Sequence, residues 1–294
     1  MARRRRDAAR GGAAREQGPV AGSYPIDTGT CELVPDPVTH GSWVVKINGV
    51  ESSHIDPDDP RTLDFEYMRW IAHLVGSEFP TVDDGSPRRL RVLHLGGGAC
   101  SLARHFAAQY PDARQVVVEI DGKLAELVRQ WFDLPRAPLL RIRVGDARAV
   151  LETLTDGTRD VVVRDVFAGS TTPSALTTRE FTAHARRVLA PGGVYVVNCG
   201  DGRDLSVARQ EAATIADVFE HTAVIADPAM LKGRRRGNVV IAGSDRPIGE
   251  SPALVHDLLG GAVPAQVWTD AQVRRFAAAA RVLTDPLPAG EPTE

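Results

Sequence analysis

The chain has 294 residues, 43% of them hydrophobic, enough for one large domain with a small appendage. Its formal net charge of −3 is unevenly spread. The first twenty residues set Arg3, Arg4, Arg5, Arg6, Arg10 and Arg15 against Asp7 and Glu16, a local +4, so the remainder is −7, which argues against a nucleic-acid partner.

Residues 1–22, rich in Arg, Ala and Gly without periodicity, read as a disordered basic tail. No apolar core follows the arginines, so they do not read as a secretory signal, and no apolar run is long enough to span a membrane. Residues 23–62 read as an N-terminal β-hairpin module. Strands are expected at 31–34 and 42–47, with Asn48-Gly49 as a tight turn before Val50 and with Pro57 and Pro60 closing the module. Cys31, Cys100 and Cys199 are odd in number and far apart. They supply neither a disulfide framework nor metal-ligand spacing and fit a reducing cytoplasm.

A main domain is expected over 63–285, with a loose tail at 286–294. Leu63, Phe65, Met68, Ile71, Ala72 and Val75 recur at helical spacing and predict a helix over 63–75 whose buried face covers one end of a sheet. A polar link with Gly85 and Pro87 follows over 81–89. The domain then alternates: strands at 91–95, 115–119, 139–144 and 160–165, and helices at 99–109, 122–132 and 147–154. A helix at 174–189, a Pro191-Gly192-Gly193 turn, a strand at 194–198 and a helix at 204–218 come next. Two strands at 221–226 and 238–242, joined without a crossover helix, must run antiparallel. Helices at 251–258 and 269–281 end the pattern. The expected fold is α/β, a Rossmann-like doubly wound sheet of seven strands with one reversed near an edge.

The stretch that organises the chain is Arg91-Val92-Leu93-His94-Leu95-Gly96-Gly97-Gly98, a β-forming run ending in three glycines, with Leu102 to Ala108 continuing at helical spacing. Strand, tight turn and helix in that order suit a close-approaching ligand, because glycine leaves the main chain accessible and a helix start offers unpaired N–H groups. Twenty-three residues after Gly96, a second strand closes on Glu119, the position that holds ribose hydroxyls in nucleotide-binding units. Gly145-Asp146-Ala147 and Asp165 close two more strands, which gathers acidic groups at one sheet edge.

These residues resemble the spermidine synthases and their relatives in the nucleoside-dependent methyltransferase superfamily, from about Trp43 to Ile248, with an echo in Leu283-Thr284-Asp285. The markers are Ile47-Asn48-Gly49-Val50, Phe65-Glu66-Tyr67, the glycine loop, Val118-Glu119-Ile120-Asp121, Gly145-Asp146-Ala147 and Leu189-Ala190-Pro191-Gly192-Gly193. The resemblance implies that Glu119 holds the ribose, Asp146 and Ala147 the adenine, and Gly96, Gly97, Gly98 and Asp165 the rest of an S-adenosyl donor, either S-adenosylmethionine or its decarboxylated form. It also implies small-molecule substrates and a homodimer or higher homo-oligomer.

The departures bear on the acceptor. Ala99 and Cys100 stand where the family's pattern has Asp and Gly, and Ala168 where it has a second Asp. The expected Gln is absent near Ser52, and Met68 follows Tyr67 in place of another. A polyamine needs carboxylates to hold its ammonium groups and a base to deprotonate the attacking amine. Losing one such contact costs about 2–4 kcal/mol. Aminopropyl transfer to putrescine is therefore in question, whereas Ala99 removes a charge that would repel the carboxylate of intact S-adenosylmethionine. The readings are a spermidine-synthase-like transferase first, an S-adenosylmethionine-dependent methyltransferase second and a non-catalytic nucleoside-binding scaffold third. Asp165 is the remaining candidate for proton transfer, and Tyr67, Ala99, Ala168 and Arg235 are acceptor-pocket candidates.

His94 alternates with Leu93 and Leu95 and reads as core. His105, His184 and His221 lack acidic or Cys partners at ligand spacing, so no metal is expected. Lys232-Gly233-Arg234-Arg235-Arg236 joins the last two strands at the ligand edge and reads as a solvated loop or a clamp for an anion.

Overall fold

Residues 18–81 and 89–286 are described by the computed structural model. Positions 1–17 of the basic tail, 82–88 of the polar link and 287–294 of the end tail lie outside the described residues.

Two sheets make up the protein. The first is an antiparallel meander of β1 (Gly22–Ile26), β2 (Gly29–Pro35), β3 (Trp43–Ile47) and β4 (Val50–Ile55). Asn48 and Gly49 take positive φ angles of 51° and 79° between β3 and β4, as the Asn-Gly turn predicts. Strand β1 was not anticipated. It carries Pro25, which lacks an N–H for a ladder, and only Ile26 is buried, so no alternation marks it. An edge position, paired with β2 alone, accommodates both features.

The second sheet is built on β5 (Arg91–Leu95), β6 (Arg114–Glu119), β7 (Leu140–Val144) and β8 (Arg159–Arg164). Beyond these come β9 (Leu189–Asp201), β10 (His221–Ala226), β11 (Gly237–Ser244) and a short β12 (Gln266–Trp268). Their order is β12-β10-β11-β9-β8-β5-β6-β7, eight strands where seven were expected. The addition is the three-residue β12, too short to give a periodic signal, on the far edge of β10. Strand β11 runs antiparallel to β9 and β10 on either side, as the short connection requires.

Three other boundaries shift. Helix α1 (Glu66–Glu78) starts three residues later than expected, although Leu63 and Phe65 still pack on the core. The expected helix at 174–189 divides after Pro173 into a 3-10 turn (Ser174–Leu176) and a separate helix, α5 (Arg179–Val188). Thr178 caps that second helix by accepting from Phe181 N at 3.2 Å. Strand β9 begins at Leu189, so the Pro191-Gly192-Gly193 turn lies within it as a bulge. Five steps from Leu189 to Val194 face two from Arg159 to Val161, and Gly192 has φ 75°.

The larger core lies on the central strands under α1 and the later helices. A second core joins the sheets: Ile26, Cys31, Leu33 and Val45 share it with α2 (Ser101–Gln109) through Ala103 and with α3 (Gly122–Trp131) through Leu124 and Val128. Polar links pin the same contact. Thr28 N and Oγ1 donate to Asp121 Oδ2 at 2.7 and 2.8 Å, and Ser101 Oγ donates to the His54 carbonyl at 2.9 Å. All three cysteines are buried and unpaired.

Candidate functional site

Strand β5 lies between β6 and β8, and Leu95 pairs with Val118 on one side and Arg164 on the other. The next residue of each strand, Gly96, Glu119 and Asp165, therefore stand abreast where the parallel strands end. The chain reverses sharply there. Gly96 has φ 90°, and a Cβ on it would come within 2.1 Å of the Asp165 carbonyl oxygen. At Gly97 a Cβ would meet Val117 Cγ1 at 2.8 Å and Glu119 Oε2 at 3.1 Å. Cys100, where the resemblance leads one to expect glycine, holds a left-handed φ of 62°.

Glu119 is fixed by the turn it faces. Its Oε2 accepts from Gly97 N at 3.0 Å and Gly98 N at 3.2 Å, and its Oε1 from Asp121 N at 3.0 Å. Burial pushes its carboxyl up, and these backbone donors oppose the shift. Across the ladder Val144 faces Glu119. Beyond it Asp146 caps α4 (Ala147–Glu152) by accepting from Ala149 N at 2.8 Å, with Ala147 buried behind it. Two side chains the sequence did not single out stand here in the open, Ile120 at 61% exposure and Val144 at 55%. Apolar residues at the ends of apolar strands look like core, so only their exposure reveals them.

On the other side of Gly96, Asp165 Oδ2 accepts from Tyr67 Oη at 2.9 Å and Oδ1 from Asn198 Nδ2 at 3.0 Å. Burial pushes the Asp165 carboxyl up, against the pull of Asn198, Tyr67 and Arg164. Burial, followed by the charge of Asp165, also holds the Tyr67 hydroxyl well above its ordinary range. Asn198, on β9, was read only as a strand end. Below them Arg164 is almost wholly enclosed. It donates to the Leu176 carbonyl at 2.9 Å and pairs with Glu211 on α6 (Ser206–Val218) at 2.5 Å. A crevice lined by Met68, His94, Gly96, Gly97, Ser101 and Asp165 runs under the turn. Burial depresses the His94 imidazole to about 4, so it is neutral, and it hydrogen-bonds Gln115 Oε1 at 2.9 Å as a core residue does.

The other acceptor-side candidates differ in exposure and in partners. Ala99 is wholly buried in the core between the sheets, its N–H donating to Ser53 Oγ at 2.9 Å, so it lines no open pocket. Ala168 is exposed on the loop after β8, beside Phe167, whose ring lies 3.3 Å from where a Cβ on Gly200 would be. Arg235 is not a free clamp: it is paired with Glu66 and Asp227. Its neighbours Lys232, Arg234 and Arg236 are exposed. Among the described residues no group of three His, Cys, Asp or Glu is placed to hold a metal ion, and no helix is long and apolar enough to cross a membrane.

Residues 64–228 match the family model described as spermine/spermidine synthase domain. A polyamine aminopropyltransferase of Chromobacterium violaceum is 31% identical over 184 residues, 62% of this chain and 65% of that protein. The eEF1A lysine and N-terminal methyltransferase of Homo sapiens is 28% identical over 146 residues, 45% of this chain and 20% of that protein. The chain thus spans less than two thirds of either curated relative. The crystal structure of a probable spermidine synthase from Corynebacterium glutamicum superposes with a TM-score of 0.86 at 49% identity, covering 93% of this chain and 99% of that one.

Proposed function

The chain belongs to the spermine/spermidine synthase family, and from that premise we propose that it is a transferase that binds an S-adenosyl nucleoside at the glycine turn and activates an acceptor at Asp165. The observation that carries this reading is the placement of Asp165 beside Gly96: a half-buried carboxyl whose pKa is raised by desolvation, held by Tyr67 and Asn198, one strand from the glycine turn.

The residues present fit the nucleoside. The missing Cβ atoms of Gly96 and Gly97 let the turn pack directly on Asp165, Val117 and Glu119, and Glu119, with three of its about four lone-pair sites taken by backbone N–H groups, keeps one on Oε1 for a ribose hydroxyl. The open side chains of Ile120 and Val144 suit the faces of a base, with Asp146 available to an amino group. Bound there, the donor supplies a sulfonium-activated carbon. Asp165 orients the acceptor through its carboxylate and takes the proton from its attacking atom, and Tyr67 and Asn198 fix the direction of the two oxygens. The three buried, unpaired cysteines support a reducing compartment such as the cytoplasm.

Methyl transfer is the second reading. It is favoured by Ala168, which is exposed on the loop after β8 and offers no carboxylate to an ammonium group. Calorimetric titration with S-adenosylmethionine, its decarboxylated form and methylthioadenosine tests the donor site, and absence of binding to all three favours a scaffold. Glu119→Ala is expected to weaken binding by about 1–3 kcal/mol, through the ribose hydroxyl left unpaired. Incubation with putrescine and the decarboxylated donor, followed by mass spectrometry, separates the transfers. Spermidine formation that survives Asp165→Asn would show the base to be elsewhere.

A further inference from the structure

Arg235 lies between carboxylates from two distant parts of the chain. Its Nη2 is 3.2 Å from Glu66 Oε1 at the start of α1, and its Nε donates to Asp227 Oδ2 just before α7 (Pro228–Leu231). Asp227 is held in place independently, since its Oδ1 accepts from Ala229 N at 2.8 Å. Glu66 directly precedes Tyr67, whose hydroxyl reaches Asp165. The pair is half-buried, so solvent screens it less than an open surface pair. Around it the same loop exposes Lys232, Arg234 and Arg236, and Gly233 packs against the Arg203 carbonyl oxygen, 2.6 Å from where a Cβ would be.

Glu66 is near enough to Tyr67 for its charge to act on that hydroxyl, and Arg235 bridges Glu66 to Asp227; a carboxylate pair so placed is what the free ammonium group of a diamine would seek. Here the chain supplies the cation itself. A tethered group competes with a free one at an effective concentration of roughly millimolar or more, without the entropy cost of capture. We infer that Arg235 is a specificity-determining residue: its guanidinium fills the Glu66–Asp227 pair, so that the acceptor side turns away di- and polyamines and admits an acceptor without a second ammonium group. This rests on the assignment of Asp165 to the acceptor. The bridge also joins α1 to the β10–β11 connection, so a purely structural role predicts lower stability on its removal and no change in ligand preference.

Titration of the full chain with 1,4-diaminobutane, with and without methylthioadenosine, separates these. Wild type is expected to bind the diamine weakly and Arg235→Gln about tenfold more tightly, one restored charge contact. Adding Glu66→Gln to that variant should abolish the gain. Arg235→Met, which keeps an unbranched stem without the charge, provides the same reading should the glutamine variant fold poorly. The inference is overturned by tight diamine binding in wild type. It is equally overturned by unchanged affinity in folded Arg235 variants, or by a gain that persists without Glu66. A diamine gain together with no nucleoside binding supports the role of Arg235 while removing the proposed function; nucleoside binding with no diamine gain does the reverse.

Discussion

Asp165 is the residue on which the proposed chemistry turns, and on that reading its environment sets opposing demands on activity and stability. Its carboxyl is held above the ordinary value by burial, so the folded protein binds a proton there that the unfolded chain has already released. Stability from this group is fully present below the unfolded value and is lost as pH rises through the folded one. Asp165→Asn should therefore stabilise the protein at neutral pH, by about 1 kcal/mol on the scale of other functional-site replacements. Asn198 Oδ1 has no hydrogen-bond partner, so a flipped Asn198 amide has an acceptor for the new N–H group. Activity should fall about 10²–10⁴-fold, the usual contribution of a positioned base. Melting curves against pH check the first claim and product formation the second; a variant both less stable and fully active would refute both. In the active protein the acid limb of the rate profile should lie above the ordinary carboxylate range. Glycine turn, Glu119 and Asp165 were legible because each ends a strand in a linear pattern. Asn198 and Ser53 were not, because they reach the site from elements distant in sequence, and Ile120 and Val144 differ from core residues only in where they face.

Between elements, the buried Arg164–Glu211 pair ties β8, the 3-10 turn ending at Leu176, and α6 together beneath Asp165. Burial pushes the Glu211 carboxyl up while Arg164 pulls it back. Removing one member leaves an uncompensated charge in the core, so Glu211→Leu should cost about 3–5 kcal/mol, whereas Arg164→Met with Glu211→Leu should recover most of the loss. Denaturant unfolding of the three proteins measures this; equal losses in the single and double variants would refute the pairing argument. The sequence could not reveal the pair, since nothing local links positions 164 and 211. It did reveal the alternation of strands and helices, because buried parallel strands give long apolar runs. It failed at β1 and β12, edge strands whose identity depends on a neighbour to pair with, and at 174–189, where Thr178 caps a new helix inside a continuous helical pattern.

For the molecule as a whole, the N-terminal sheet is part of the site. Ser53 Oγ takes the Ala99 N–H at 2.9 Å and donates to the Ser52 carbonyl at 2.7 Å. Ser53→Ala should cost about 1–3 kcal/mol by orphaning a buried donor, and hydrogen exchange at the Ala99 amide should accelerate. Unchanged exchange would place the anchor elsewhere. The same sheet ends in two edges, β1 and β4, of the kind that proteins cover. Family resemblance leads us to expect pairing between subunits there, and light scattering that finds a strict monomer at micromolar concentration would end that expectation. The contact of Gly96 with the Asp165 carbonyl also bears on how such a protein diversifies. No side chain fits at Gly96, so that part of the crevice is closed to drift. Ala168 and Arg235 lie on loops outside that constraint. On the proposed function, descendants of this chain are free to change the molecule they modify while keeping the nucleoside they modify it with.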